Sequence, residues 1–183
     1  YLVVGSTPEE MIKNKFKPIG KNFPVFIHPE TKEEYALART EKKVSRGYKG
    51  FKFFTSPDIT LFEDLLRRDL TINSIAKDEN NNFYDPFGGI NDIKNKILRH
   101  IGPSFVEDPV RLLRLAKFSA RLNFKKIAPE TKKLLLEMVK SGETLFLQPE
   151  RVWKELSEGF MSSQPSLMIK ILFEVNFFNS FFP

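Results

Sequence analysis

The stretch Glu107 to Arg114, EDPVRLLR, decides how this chain is read. Asp108 stands where a helix takes its cap and Pro109 where it takes its first residue, so a helix is predicted over 108–122. Leu112, Leu115, Ala116 and Phe118 then follow the helical period. From Asp108 onward the pattern is helical alone: 108–122, 129–140, 149–161 and 165–175, with Pro129, Pro149 and Pro165 near successive starts. Before it, strands and turns are mixed with short helices. The expected fold class is therefore α+β, with the mixed part handing over to helices near residue 100.

The same helix start carries chemistry. Asp108, Arg111 and Arg114 follow each other at i, i+3 and i+6, which places an acceptor and two donors on one face. Cytosine and adenine both present an exocyclic amine beside an unprotonated ring nitrogen. A carboxylate accepting from the amine and a guanidinium donating to the ring nitrogen suits both. Guanine and uracil present the reverse pattern and would leave charged groups unpaired in a closed pocket. The plain alternative is an ordinary helix start with surface charges.

Composition narrows the classes. The 183 residues are 41% hydrophobic and 28% charged, enough for one large domain or two small ones. No apolar run approaches the roughly 20 residues that span a bilayer, and no signal peptide is visible, so no membrane partner is expected. The absence of cysteine excludes disulfides and thiolate metal sites and fits a reducing cytosol. With only His28 and His100, a histidine metal site is also improbable, so any metal must sit on carboxylates. A net charge of +6 makes a polyanion partner plausible. Nineteen phenylalanines, clustered toward Phe173, Phe177, Phe178, Phe181 and Phe182, point to helix core plus a surface that further chain or a partner covers.

Along the chain, Tyr1–Gly5 reads as a buried strand beginning in mid-domain. A helix capped by Ser6 or Thr7 follows, with Pro8 at its first position. Phe23–His28 and Glu33–Thr40 make an expected hairpin. Lys42–Phe54 carries five lysines or arginines among aromatics, and is expected as a solvated basic loop whose rings could stack on bases. A helix is predicted from Thr60 to about Arg68 and a second helical segment over 70–76. Turns are predicted at Asp78–Asn82 and Asp85–Gly89. In Arg67–Asn73, RRDLTIN, two arginines suit triphosphate oxygens and the carboxylate suits a ribose hydroxyl; the alternative is an internal salt bridge.

The strings VVGSTPEEM, FPVFIHPETKEEYALART, GYKGF, LLRRDLTINSIA, DPFGG, LRHIGPSFVEDPVRLLRLAKFSAR and PERVWKEL, in this order and over essentially the whole chain, resemble the head and neck of the bacterial class II tRNA nucleotidyltransferases. These are the CCA-adding enzymes of the poly(A) polymerase superfamily. The resemblance implies an incomplete polymerase beta-like head with a small mixed or antiparallel sheet over 1–99. An all-α neck over 100–183 would begin with the base-reading helix. It implies cytoplasmic, template-independent transfer of CMP and AMP from CTP and ATP to a tRNA 3′ end, with pyrophosphate leaving.

Carried over residue by residue, Arg68 holds the incoming nucleotide and Asp69 lies near the ribose. Asp108 and Arg111 read the base, and Arg114 adds a phosphate or base contact. Lys117 stands where many relatives have another arginine, without its bidentate geometry. Gly47–Phe51 would belong to a flexible loop that helps the switch from C to A, and Asp85–Gly89 would join head to neck.

In the family, a GG-x-VRD loop and an Asp-x-Asp pair holding Mg2+ lie immediately before the strand that begins here at Tyr1. Neither is present. The Mg2+ ligands are thus expected to be missing from this chain, which then holds no catalytic residue and reads as a fragment inactive or very weak alone. Glu33 and Glu34 neighbour the missing pair without replacing it. The competing readings are a poly(A) polymerase of the same superfamily, adding AMP alone, and a non-catalytic nucleic-acid-binding remnant.

Overall fold

Thr7 sets the start of the first helix, α1 (Pro8–Lys13). Its hydroxyl accepts the Glu10 N–H at 3.2 Å, while the Glu10 carboxylate accepts the Thr7 N–H at 3.2 Å. Thr60 and Glu63 repeat the device at α2 (Leu61–Leu66). Both caps satisfy amides that a helix start otherwise leaves unpaired. The computed structural model describes residues 1–19, 24–43 and 51–181, which fall into two compact units meeting in sequence between Arg67 and Arg68.

The first unit is built on a four-stranded sheet in the order β1 (Leu2–Val3), β4 (Glu34–Leu37), β3 (Val25–Ile27), β2 (Lys17–Pro18). Leu2 and Val3 run parallel to Ala36 and Leu37, whereas β3 pairs antiparallel with β4 and with β2. The hairpin expectation is realised as this β3–β4 pair, with Phe23 outside the described residues. Met11, Phe26 and Leu37 form the small core, against which Val3, Phe16 and Tyr35 pack. Tyr1 stacks on Tyr35 with centroids 4.7 Å apart.

One expectation is corrected here. The basic stretch is not a loop throughout, because β5 (Arg39–Lys43) and β6 (Phe51–Thr55) form an antiparallel ribbon from Arg39 opposite Thr55 to Lys43 opposite Phe51. Phenylalanine and threonine favour pleated backbone, and cross-strand pairing outweighs the charge of the lysines. Residues 44–50, and with them most of the Gly47–Phe51 switching-loop expectation, lie outside the described residues. Asp64, fully buried, accepts the Arg39 N–H at 3.2 Å and two Arg67 donors at 2.7 and 3.0 Å; Arg67 also reaches Glu41 at 2.6 Å. Arg67 thus ties α2 to β5.

In the second unit the segment 70–76 is not a helix. A single 3-10 turn spans Thr71–Asn73, and the strand β7 (Ala76–Lys77) follows, paired with β8 (Phe83–Tyr84). Leu70 bridges His100, the Thr71 N–H donates to the Arg99 carbonyl at 3.0 Å, and the Ser74 N–H turns back to the Thr71 carbonyl at 3.1 Å in the tighter 3-10 pattern. Asp85 caps α3 (Gly89–Asn95) through the Gly89 and Ile90 amides at 2.7 and 2.8 Å. Beyond it, β9 (Ile97–Leu98) pairs parallel with β10 (Lys126–Ile127), a two-residue strand too short to show in sequence.

Five helices complete the unit: α4 (Val110–Leu122), α5 (Pro129–Lys140), α6 (Pro149–Phe160), α7 (Pro165–Glu174) and α8 (Phe177–Phe181). Proline at or beside each of the first four starts loses no intrahelical bond there. The α4 face Leu112, Leu115, Ala116 and Ala120 is wholly buried and packs with Leu135, Val152, Leu156, Met168 and Leu172. Of the phenylalanine cluster, Phe177 lies in this core and Phe173 is 73% exposed. The mixed sheets followed by packed helices establish the α+β class.

Candidate nucleotide-binding site

Asp69 sits at the centre of a polar cluster although it is only 5% exposed. One carboxylate oxygen accepts the Leu70 N–H and the Asn73 side-chain amide, both at 3.0 Å; the other accepts Arg114 Nε at 2.7 Å. Burial by itself pushes this carboxyl up. The Arg114 charge, followed by the donors on Asn73, Arg114 and Leu70, outweighs burial and holds Asp69 below the ordinary carboxylate range. Arg114 answers in kind: burial disfavours its charge, but Asp69, and then Glu155 and Asp108, raise it above the ordinary guanidinium value. Its guanidinium lies over the Phe118 ring, 5.7 Å from the centroid.

The backbone around Asp69 is fixed from several sides. Its carbonyl accepts the Ile101 N–H at 3.3 Å, and Arg68 Nη1 donates to the Asn73 carbonyl at 2.9 Å, closing the 3-10 turn on itself. Thr71 donates its hydroxyl to buried Asp92 at 2.7 Å. Gly89 lies so close that a Cβ there would fall 2.2 Å from the Thr71 carbonyl oxygen. The DPFGG turn therefore matters because only hydrogen fits between α3 and the turn that carries Asp69.

Asp108 begins α4 much as its sequence suggests. It is extended, it accepts the Val110 N–H at 3.3 Å on its side chain, and its carbonyl accepts the Arg111 N–H at 3.0 Å; Pro109 already has helical dihedrals. The regular helix starts at Val110, within the usual latitude of a helix end. Arg151 on α6 grips the Asp108 carboxylate with both terminal nitrogens, at 3.0 and 2.7 Å. Arg111 Nη1 donates to the Ser104 carbonyl at 3.0 Å. Lys117, 7% exposed, lies between Glu155 at 2.5 Å and Glu158 at 2.7 Å, so it joins α4 to α6.

Asp69 and Arg114 are thus brought into contact, and Asp108 and Arg111 share one helix start. Arg68 reaches the cluster through Asn73. Sequence reasoning missed Asn73 and Arg151. The signal for Arg151 was present in its spacing to Glu155, since both sit on the α6 face that meets Asp108 and Lys117 of α4. Pairing across 43 positions cannot be read from one sequence.

Carboxylates facing guanidinium groups do not fit a divalent cation, because Arg114 and Arg151 occupy the oxygens a metal would need. Among the described residues, no group of three or more histidine, aspartate or glutamate side chains is placed to hold a metal ion. No helix of the described residues is long and apolar enough to cross a membrane.

A buried carboxylate and its arginine lie beside an acid–arginine helix start within the second unit. The chain belongs to the family of the poly A polymerase head domain, whose model matches residues 5–99. A second model, described as the probable RNA and SrmB-binding site of polymerase A, matches residues 125–183. The Multifunctional CCA protein of Nitrosomonas europaea is 60% identical over 174 residues, covering 95% of this chain and 42% of that protein. The chain therefore spans about two fifths of the length of that curated relative.

Among solved structures, the Bacillus stearothermophilus CCA-adding enzyme in complex with CTP superposes with a TM-score of 0.74 at 25% identity, over 92% of this chain and 41% of that one. A tRNA nucleotidyltransferase complexed with a primer tRNA and an incoming ATP analog gives 0.71 at 27% identity, over 95% of this chain and 49% of that one.

Proposed function

We propose that this chain supplies the nucleotide-selecting part of a CCA-adding tRNA nucleotidyltransferase, with head residues 1–99 and neck residues 100–183. In that reaction the tRNA 3′-hydroxyl attacks the α-phosphorus of CTP or ATP, a new P–O bond forms, and the bond to pyrophosphate breaks. Asp108 accepts from the exocyclic amine of the incoming base, and Arg111 donates to its ring nitrogen. Asp69 accepts from the ribose, while Arg68 and Arg114 face phosphate oxygens. Lys117 supports the reading helix from behind through its two glutamates. Mg2+ belongs to this class of reaction, but the carboxylates of this site do not fit it, and their roles are recognition alone.

The observation that carries the reading is the grip of Arg151 on Asp108. It orients the carboxylate, an acceptor that suits cytosine and adenine amines and disfavours the guanine and uracil carbonyls. The test is binding of the four nucleoside triphosphates by calorimetry. CTP and ATP bind more tightly than GTP and UTP, and Asp108→Ala narrows the difference without abolishing binding through the phosphates. Equal binding of all four by the unmodified chain would sink the base-reading assignment. Preference for ATP alone would favour a poly(A) polymerase instead.

A further inference from the structure

His100 stands between the two halves of the nucleotide-selecting site. On one side it lies opposite Leu70 in an antiparallel bridge flanked by two bonds, the Thr71 N–H to the Arg99 carbonyl at 3.0 Å and the Ile101 N–H to the Asp69 carbonyl at 3.3 Å. On the other its ring meets Phe105 edge-on, with centroids 5.7 Å apart. Phe105 is buried in the 3-10 turn Pro103–Glu107, which runs into Asp108 and whose Ser104 carbonyl accepts Arg111. One residue thus touches both the turn that carries Asp69 and the turn that leads to Asp108 and Arg111.

A third contact fixes the ring. Thr131, fully buried near the start of α5, accepts the His100 N–H on its hydroxyl oxygen at 3.1 Å, and the same oxygen lies 2.7 Å from His100 Nδ1. A hydroxyl has one hydrogen to give. Given to Nδ1, it satisfies both atoms and leaves the ring proton on Nε2. With a proton on Nδ1 instead, Thr131 would accept twice, and its own buried hydrogen would have no acceptor among the described residues. Burial, and then the Arg99 charge, act in the same direction and hold the imidazole below its ordinary range. The ionisable groups on the elements around it are Arg99 on its own strand, Asp69 on the facing turn, Glu107 at the end of the Phe105 turn, and Glu130 and Lys132 on α5. Asp69 is committed to Arg114, Arg99 to Asp92 and Glu130, and Lys132 to Glu174.

We infer that His100, as a neutral imidazole accepting from Thr131, is a positioning residue that sets the Asp69 turn against the Asp108–Arg111 helix start, given the nucleotide-selecting role proposed for the two. It acts through these neighbours and not on the nucleotide. Protonation of the ring takes away the acceptor and loosens both turns. Acid therefore weakens nucleotide binding between the ordinary imidazole and carboxylate ranges, about pH 6.5 to 4, before Asp69 itself titrates.

The experiment takes two readouts from the 183-residue chain. The first is CTP affinity by calorimetry at about pH 7.5 and about pH 5, where the ratio of parent to variant cancels the titration of the nucleotide's own phosphates. Thr131→Val keeps the shape, removes the donor and weakens CTP binding about fivefold at the higher pH, the worth of one hydrogen bond, while Thr131→Ser restores it to within about twofold. His100→Asn keeps an acceptor near the place of Nδ1 and cannot titrate, so it loses less CTP affinity on acidification than the parent does. The second readout is amide hydrogen exchange at Thr71, Ile101 and Phe105, with Leu172 of α7 as the reference; Thr131→Val lowers protection at the three relative to Leu172. Unchanged protection, or lowered protection with CTP affinity intact, overturns the positioning role. So does failure of Thr131→Ser to rescue, or parallel loss of affinity in acid by the parent and His100→Asn. If the unmodified chain binds no triphosphate, or all four alike, the nucleotide-selecting role fails, and the amide protections alone then uphold or overturn the link through His100.

Discussion

Arg151 holds Asp108 in a two-pronged ion pair, Nη1 to Oδ1 at 3.0 Å and Nη2 to Oδ2 at 2.7 Å, linking the start of α4 to the first turn of α6. A planar fork of this kind fixes the direction of a carboxylate. Arg151→Ala therefore reduces the preference for CTP and ATP over GTP and UTP by about tenfold. Arg151→Lys restores the charge without the fork and recovers only part of it. Calorimetric affinities for the four triphosphates check this, with circular dichroism showing that helix content is kept. An unchanged preference in Arg151→Ala would mean that Asp108 needs no such positioning.

The Asp69–Arg114 pair sets the acid limb of stability. Because Asp69 titrates below its ordinary value in the folded chain, the unfolded chain binds that proton first as pH falls. Its contribution is complete above the unfolded carboxylate range and is lost as pH falls through the folded value, below about pH 4. Asp69→Asn is less stable than the parent at neutral pH, and the gap closes in acid. Urea midpoints measured from pH 7 down to pH 3 report it, and a constant gap would exclude the linkage.

His100 contributes in a different window. Burial, with the Arg99 charge beside it, holds its imidazole below the ordinary range, and its Nδ1 lies 2.7 Å from the Thr131 hydroxyl. The unfolded chain again takes the proton first, so stability falls as pH drops from about 6.5 toward the lower folded value. His100→Gln flattens the stability profile between about pH 7 and 5.

Two glycines separate backbone crowding from side-chain crowding. A Cβ at Gly89 meets the Thr71 carbonyl oxygen at 2.2 Å, and neither backbone can yield without moving the turn that holds Asp69. Gly89→Ala costs about 2–3 kcal/mol and weakens triphosphate binding. At Gly159 the obstacle is the Met168 sulfur at 2.1 Å, near the end of a flexible chain, and α6 gains helix propensity from alanine. Gly159→Ala changes stability by no more than about 1 kcal/mol. Thermal unfolding of the two variants side by side distinguishes them.

Removing Lys117 tests the seam between α4 and α6. Its ammonium lies between Glu155 and Glu158, and Glu155 is nearly buried. Lys117→Ala leaves that glutamate without its charge partner, at a cost of about 3 kcal/mol. Lys117→Ala with Glu155→Ala recovers part of the loss. Full additivity of the two single variants in denaturant unfolding would argue against the pair.

Much of this was legible in the residues. Pro129, Pro149 and Pro165 fixed three helix starts, since proline's missing N–H is harmless only there. Asp108 and Pro109 placed the start of α4, and the period of Leu112, Leu115 and Ala116 identified its buried face. The segment 70–76 was expected to be helical although Thr71, Ile72, Asn73, Ser74 and Ile75 are weak helix formers. Leu70 pairs instead across to His100, and the Thr71 amide goes to the Arg99 carbonyl, which no local pattern announces. The two described ends of the stretch Lys42–Phe54 misled in the opposite sense, because charge suggested a loop where Lys42 and Lys43 pair with Lys52 and Phe51.

The sequence by itself determined the residues proposed to select a nucleotide, the acid and arginines of EDPVRLLR and of RRD, chosen by donor and acceptor chemistry that belongs to each side chain wherever it lies. Only the tertiary structure decided who holds them. Asp108 is oriented by Arg151, Asp69 is kept ionised by Arg114 and Asn73, and Lys117 is committed to two glutamates. Those pairings depend on distances of a few ångströms between residues tens of positions apart, and such distances exist only once the helices have packed.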